Sequence, residues 1–348
     1  MGAVLDTALA ADAAGICVIP AAGDGTKAPR PGRASWKEYQ ARRPTPDEHQ
    51  RWFGPGGAGG LGVVCGAISG NLEMLEFEGR ALDEGVYDTW LRLAHHAGLD
   101  ELVDRITTGY IETTPSGGVH WLYRVDGAPV PGNVKLAQRP ATAAEIAANP
   151  HDKVKVLIET RGEGGFCIIA PSNGTTHPSG GTWELNDGGI DQVAVITTDE
   201  HAQLHDLARA LDTIPDPPAT RDTRDHRPAQ PADGDLRPGD WYNTAATWPD
   251  LLEAHGWTHV YTHGDTDYWR RPGKTTGVSA TVNALGTDRL HVHTTSTPFD
   301  TTSYDLFGAY ALLEHQGDLK TAARAIAAVM PKQHHPAAAG AGRPPADT

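Results

Sequence analysis

Three short stretches carry side chains able to do chemistry, and an acidic pair heads them. In NLEMLEFEGR, residues 71–80, Leu75 and Phe77 alternate with Glu76 and Glu78. That is the period-two pattern of a strand with one apolar face and one acidic face. Side chains two apart point the same way, with Cα atoms roughly 6.5–7 Å apart, so the two carboxylates can converge on one point. Neighbouring acids are costly to hold together unless a cation joins them. Magnesium or manganese takes oxygen ligands and leaves positions for phosphate oxygens. The plain alternative is an exposed acidic strand face.

The second stretch is TTPSGGVHWLYR, residues 113–124. Gly117 and Gly118 let backbone approach a ligand closely, and Ser116 offers a hydroxyl and an amide. Beyond the turn, His120, Leu122 and Arg124 share one face of a strand, where a histidine and an arginine can hold a triphosphate. A hairpin turn with a surface histidine is the simpler reading, in a chain with 17 histidines. The third stretch, VLIETRGEGGFCIIAPS at 156–172, puts Leu157, Glu159 and Arg161 on one strand face before a glycine-rich turn. Glu159 adds a third carboxylate and Arg161 a phosphate partner, or the two form a strand-end ion pair. Ser172 ends the returning strand near these groups.

The order acid-x-acid, then Ser-Gly-Gly-x-His, then acid-x-Arg-Gly, each on or beside a strand, resembles the archaeo-eukaryotic primase superfamily. More narrowly, it resembles the bifunctional primase/polymerase (prim-pol) domain of phages, plasmids and integrated elements. GICVIPAAGDGTKAP, the Trp36–Gln40 segment, Arg51-Trp52-Phe53 and LGVVCGAISG extend the likeness through the N-terminal half. The resemblance covers about residues 1–213. It implies an α/β (α+β) catalytic domain in two parts, with a mixed or antiparallel sheet flanked by helices and the site in the cleft. It assigns the metal-binding, catalytic acids to Glu76, Glu78 and Glu159, and a further catalytic and nucleotide-binding role to His120. Ser116, Gly117, Gly118 and Arg161 complete the nucleotide-binding set. Family members more often carry Asp at the first two positions, so Glu at both is a departure.

The elements that must position these groups are legible as runs between turn signals. ICVIP (16–20) and LGVVCG (61–66) read as apolar strands. Capping boxes at Thr45–Glu48, Thr142–Glu145 and Thr197–Glu200 each predict a helix start. Leu82 to Ala97 reads as one long helix closed by Gly98, and Val154–Arg161 with Phe166–Ala170 as a hairpin. Pro- and charge-rich residues 214–239 read as a linker. A small α+β accessory domain is expected over 240–332, and a low-complexity tail over 333–348.

Composition narrows the partners. A formal net charge of −15, from 29 Lys+Arg against 44 Asp+Glu, excludes a protein that coats nucleic acid by bulk charge. The three cysteines, Cys17, Cys65 and Cys167, are far apart, so neither a disulfide framework nor a cysteine zinc site is expected. The first residues lack a basic leader, and no run approaches ~18 uncharged apolar residues, so no signal peptide and no membrane partner is expected. The 240–332 segment resembles the ribbon domains that accompany primases, with the cysteines gone. Arg270, Arg271 and Lys274 form its compact basic cluster, a candidate DNA contact or an ordinary solvated turn. Lys27 likewise reads as either a nucleotide contact or a surface lysine. Gly273-Lys274-Thr275 is no P-loop, because the glycine required five residues earlier is Tyr268. His291-Val292-His293 matches the histidine pair of rolling-circle initiators, a triplet that chance supplies in so histidine-rich a chain.

The resemblance therefore implies a primase with DNA polymerase activity, using NTP or dNTP substrates, Mg²⁺ or Mn²⁺ and a single-stranded DNA template. It further implies a bacterial cytosolic, nucleoid-associated protein that serves a mobile element or phage beside a separately encoded replicative helicase. Two other readings use the same residues: a metal-dependent nuclease, and a catalytically weak or inactive replication module that binds template or helicase.

Overall fold

The computed structural model describes residues 2–32, 35–215, 236–300 and 302–331. Most of the expected linker and all of the expected tail lie outside them. The chain divides into two compact units, one running to Asp216 and resuming over Gly256–Ser303, the other made of the remaining segments.

In the first unit the strands run β1 (Cys17–Pro20), β2 (Leu61–Val64), β3 (Leu72–Phe77), β4 (Tyr110–Thr113) and β5 (Val119–Asp126). There follow β6 (Val134–Pro140), β7 (Val154–Arg161), β8 (Phe166–Ile169), β9 (Glu184–Gly188) and β10 (Ala194–Thr197). The helices are α1 (Ala3–Ala13), α2 (Pro46–Phe53), α3 (Gly79–Asp83), α4 (Val86–His96), α5 (Asp100–Gly109), α6 (Ala143–Ala148) and α7 (Thr198–Arg209). All three expected capping boxes form, at the starts of α2, α6 and α7. The expected long helix is two: the chain breaks after α3, where Gly85 takes φ 70° and α4 starts afresh.

A seven-stranded sheet in the order β6-β7-β3-β5-β4-β9, with β10 parallel on β5, forms the centre. Its other pairings are antiparallel, as the mixed-sheet expectation requires. A second sheet, β1-β2-β8, stands beside it. The strands β7 and β8 therefore do not form the hairpin expected of them. The glycine-rich turn carries the chain from one sheet to the other, and β8 pairs with β2 instead.

The alternation read in β3 sorts its side chains between two cores. Leu75 and Phe77 pack with Trp121, Tyr123 and the helices α4, α5 and α7, while Leu72 and Met74 pack with Leu122, Leu61 and α1. Phe77, Trp90 and Trp121 meet at centroid distances of 5.3–5.4 Å in tilted and edge-on pairs, arrangements that add to the stabilisation from their buried area. With both faces covered, the sheet is a rigid base for anything built at its end.

The strands β11 (Thr258–His263), β12 (Thr266–Arg270), β13 (Ala280–Val282) and β14 (Leu290–Val292) form an antiparallel meander. The expected 240–332 accessory domain is thus divided, because this meander belongs to the first unit. Tyr268 and Val278 join the same core as α4 and α7, His96 stacks on Tyr261 at 4.0 Å, and the Gly277 N–H bonds to Ala97 O. Val278→Ala should cost roughly 1–3 kcal/mol in urea unfolding of the whole chain. A meander folding apart from that core would leave the main transition unmoved.

The second unit holds α8 (Pro238–Ala245), α9 (Trp248–Ala254), α10 (Leu306–His315) and α11 (Leu319–Val329). Asn243 clasps the start of α10, accepting from Phe307 N–H and donating to Asp305. Among the described residues, no helix is long and apolar enough to cross a membrane.

Candidate active site

Cross-strand register gathers the predicted residues. Glu76 of β3 lies opposite Glu159 of β7 on one side and His120 of β5 on the other, and His120 lies opposite Glu112 of β4. Directly paired residues on adjacent antiparallel strands project from the same face. Four chemically active side chains thus form one row across four strands. Glu78 follows at the end of β3, where its N–H bonds to Leu157 O and the chain turns into α3.

The three predicted acids do converge. Each of Glu76, Glu78 and Glu159 offers an oxygen, and these atoms lie within 4.8 Å of one another. Burial and the charge of Glu76 push the Glu78 carboxyl above its usual pKa, with Arg80 offsetting only part. Burial also raises that of Glu159, where Arg161 works against it and the other two acids work with it. Glu76 goes the other way: burial opposes its charge, but His120 outweighs that and lowers its pKa. The trio therefore carries repulsion that its neighbours do not cancel. Three carboxylates with no nitrogen or sulfur donor form a set that suits a hard divalent cation.

His120 is held from both sides. Its Nδ1 lies 2.7 Å from Glu112 Oε1, and its Nε2 lies 3.4 Å from Glu76 Oε1. Burial disfavours charge on this ring, yet Cys167, Glu76 and the Glu112 hydrogen bond together carry its pKa well above the ordinary imidazole value. Glu112 is fully buried, and its Oε2 accepts from both the Tyr110 hydroxyl and the Ala170 N–H at 2.6 Å. The sequence reading passed over Glu112. Its available signal was its place in a strand two residues after Tyr110, directly across a short turn from His120.

The Ser116 turn is braced by Thr114. The Gly117 N–H bonds to Thr114 O, the Gly118 N–H to Thr114 Oγ1, and Ser116 Oγ lies 3.2 Å from the same hydroxyl. Ser116 stays exposed beside a cavity of about 170 Å³ that Glu76, His120, Arg161, Lys27 and His177 also line. Arg161 pairs with Glu159 there. Lys27, which sequence left open, belongs to this cavity, and His177 joins it without having been singled out. The turn presses closely on the start of α3, where a Cβ at Gly79 would stand 2.0 Å from Ser116 O. Overpacking of this kind costs typically ~1–3 kcal/mol. Gly79→Ala should therefore shift the turn and lower stability in urea unfolding by about that amount, with little loss of helix content by circular dichroism.

Other predicted residues lie elsewhere. Arg124 shares the strand face of His120 but donates to Ser69 O and Ala14 O at the far end of β5. Ser172 bonds both backbone groups of Leu61 and ties β8 to β2. Arg270 donates to Gly277 O and Ala97 O, so its guanidinium is committed to backbone. Arg271 donates to Pro272 O, and Lys274 is half-buried near Asp206. Tyr268, at the position a P-loop glycine would need, is a buried core side chain. A larger cavity of about 620 Å³ opens beside Asp206, Arg209 and Thr281; His291 and His293 line it, whereas Glu76, Glu78, Glu159, Ser116 and His120 do not.

No curated protein matches the chain. The profile of the family described as "Bifunctional DNA primase/polymerase, N-terminal" matches residues 8–195, a span that includes the three carboxylates, the Ser116 turn, His120 and Glu112. The chain belongs to this Prim-Pol family.

Proposed function

We propose that the chain synthesises primers on single-stranded DNA, joining nucleoside triphosphates by template-directed nucleotidyl transfer. Family membership makes it a DNA primase/polymerase in its general chemistry; the substrate, metal and residue assignments are the proposal. The observation that carries it is one cavity in which Glu76, a member of the converging acid trio, meets Ser116, His120, Lys27 and Arg161. Cationic groups and a hydroxyl arrayed beside that acid suit the triphosphate of an incoming nucleotide.

Glu76, Glu78 and Glu159 would hold Mg²⁺ or Mn²⁺, which when bound supplies Lewis-acid activation of the primer 3′-hydroxyl and charge neutralisation on the triphosphate. His120 presents Nε2 toward the phosphates while Glu112 fixes the opposite nitrogen. Lys27 and Arg161 offset negative charge at the cavity wall, and the Ser116 turn offers a hydroxyl. The 3′-oxygen bonds to the α-phosphorus, the α–β bridging bond breaks, pyrophosphate leaves, and the hydroxyl proton passes to solvent. A mobile-element or phage replicon, with a separately encoded helicase, is the setting such a chain would serve.

The test is primer synthesis on single-stranded DNA with labelled ribo- or deoxynucleotides and either metal. Product that requires nucleotides and is lost in a Glu76→Ala/Glu78→Ala chain is expected. Template cutting with metal alone would favour a nuclease. No product under any of these conditions would leave a non-enzymatic module.

A further inference from the structure

The strand that supplies Glu76 and Glu78 carries another acid, Glu73, on its opposite, helix-covered face. Glu73 is fully buried beneath α7, where His201 and His205 stand four residues apart and so on one side of the helix. Their Nε2 atoms lie 2.7 and 3.1 Å from Glu73 Oε2, and the Tyr123 hydroxyl donates to that oxygen at 2.6 Å. Three polar atoms thus crowd one carboxylate oxygen, while Oε1 of the same group is buried with no hydrogen-bond partner. The two imidazole centroids are 4.0 Å apart, too close for both rings to carry charge comfortably.

We propose that Glu73, His201 and His205 form a second metal centre that takes a zinc-class divalent ion, separate from the catalytic acids. Two neutral imidazoles and a carboxylate are a nitrogen-rich donor set suited to Zn²⁺, unlike the all-oxygen set of Glu76, Glu78 and Glu159. Tetrahedral zinc ligands stand about 3.3 Å apart; both imidazole nitrogens are within a few tenths of an ångström of that separation from Glu73 Oε2, and the three groups offer ligand atoms within 4.8 Å of one another. Both imidazoles would then use Nε2 lone pairs, and the crowding at Oε2 would resolve. The Tyr123 hydroxyl remains as a hydrogen-bond partner for the ligating carboxylate, the arrangement that commonly steadies a metal site. Such a centre pins the first half of α7 to the middle of the sheet. It needs no cysteine, which is why counting cysteines could not find it.

The test uses the full chain, treated with chelator and then dialysed against zinc chloride in magnesium-containing buffer. One zinc per chain by elemental analysis is expected, with a rise in Tm over the chelated protein. Co²⁺ in place of zinc should give the visible absorption of a low-coordinate site. His201→Ala and His205→Ala should each lower zinc affinity by at least about 100-fold, beyond the loss usual for an outer-shell change, whereas Glu76→Gln/Glu78→Gln should keep the full equivalent. Because zinc content, Tm and the Co²⁺ spectrum are all read on the unaltered chain, an unfolded variant cannot hide the answer. No stoichiometric zinc and no Tm response would overturn the proposal and leave a hydrogen-bonded Glu–His–His–Tyr cluster. Zinc that persists in both histidine variants, or vanishes with the catalytic acids, would overturn it equally.

Discussion

Glu76→Gln is expected to lower primer extension on the order of 10³-fold, because it removes charge stabilisation worth several kcal/mol at ~1.4 kcal/mol per tenfold. Glu76 stands in the row opposite both Glu159 and His120, so its loss touches the acid trio and His120 together. Glu78→Gln should lose activity on the same scale, and it carries its own control for folding. The folded-state pKa of Glu78 is raised by burial and by Glu76. A raised carboxyl pKa makes ionisation unfavourable in the folded state, a penalty absent below the unfolded pKa and fully present above the folded one. In metal-free buffer Glu78→Gln should therefore be more stable than the parent chain at about pH 8, with the gain fading toward about pH 4. An inactive variant that is also less stable at about pH 8 would point to misfolding rather than lost chemistry.

The second large effect concerns Glu112, whose fully buried carboxylate accepts three hydrogen bonds. Glu112→Ala should destabilise the chain by about 3–5 kcal/mol, since it strands a buried imidazole, a phenol and a backbone N–H. Glu112→Gln is the sharper experiment. Its carbonyl oxygen can still accept from Tyr110 and Ala170, but its NH₂ then faces His120 Nδ1. Two donors cannot share that gap, so His120 must give up the Nδ1 proton and become neutral. A charged hydrogen bond to phosphate contributes ~1.5–3 kcal/mol. The expected result is a roughly 10–100-fold rise in nucleotide KM with the fold kept and kcat much less affected. An unchanged KM would mean that the charge on His120 has no part in holding the nucleotide.

What the residues announced and what they concealed divide along a physical line. Strand alternation gave β3, β5 and β7, and side-chain chemistry marked Glu76, Glu159 and His120 within them and Glu78 just past the end of β3. Helix starts were legible because a capping box is a local, four-residue device, as at Thr45, Thr142 and Thr197. Glu112 was not legible, because its importance comes from register: it matters only once β4 pairs with β5 and sets it opposite His120. Lys27 depends on a loop that returns to the cavity, where period carries no information. The expected β7–β8 hairpin failed for a related reason. Glycines that permit a tight turn equally permit a crossing between sheets, and only the partner strand decides. The meander at 258–292 was assigned away from its core because a Pro-rich run in sequence says nothing of where the chain later packs.

The row Glu159–Glu76–His120–Glu112 also acts as a ruler. Adjacent strands keep a spacing of roughly 4.7–4.9 Å, fixed by backbone hydrogen bonds rather than by side chains. The distance between reacting groups is therefore set mostly by the lattice of the sheet, and side-chain length supplies the fine adjustment. On such a scale Glu in place of the family's more usual Asp moves each carboxylate along its own rung without altering the distance between rungs. A single-residue insertion ahead of Glu76 in β3 or of His120 in β5 would be far more damaging, since it turns that strand's member of the row onto the opposite face while leaving every strand intact.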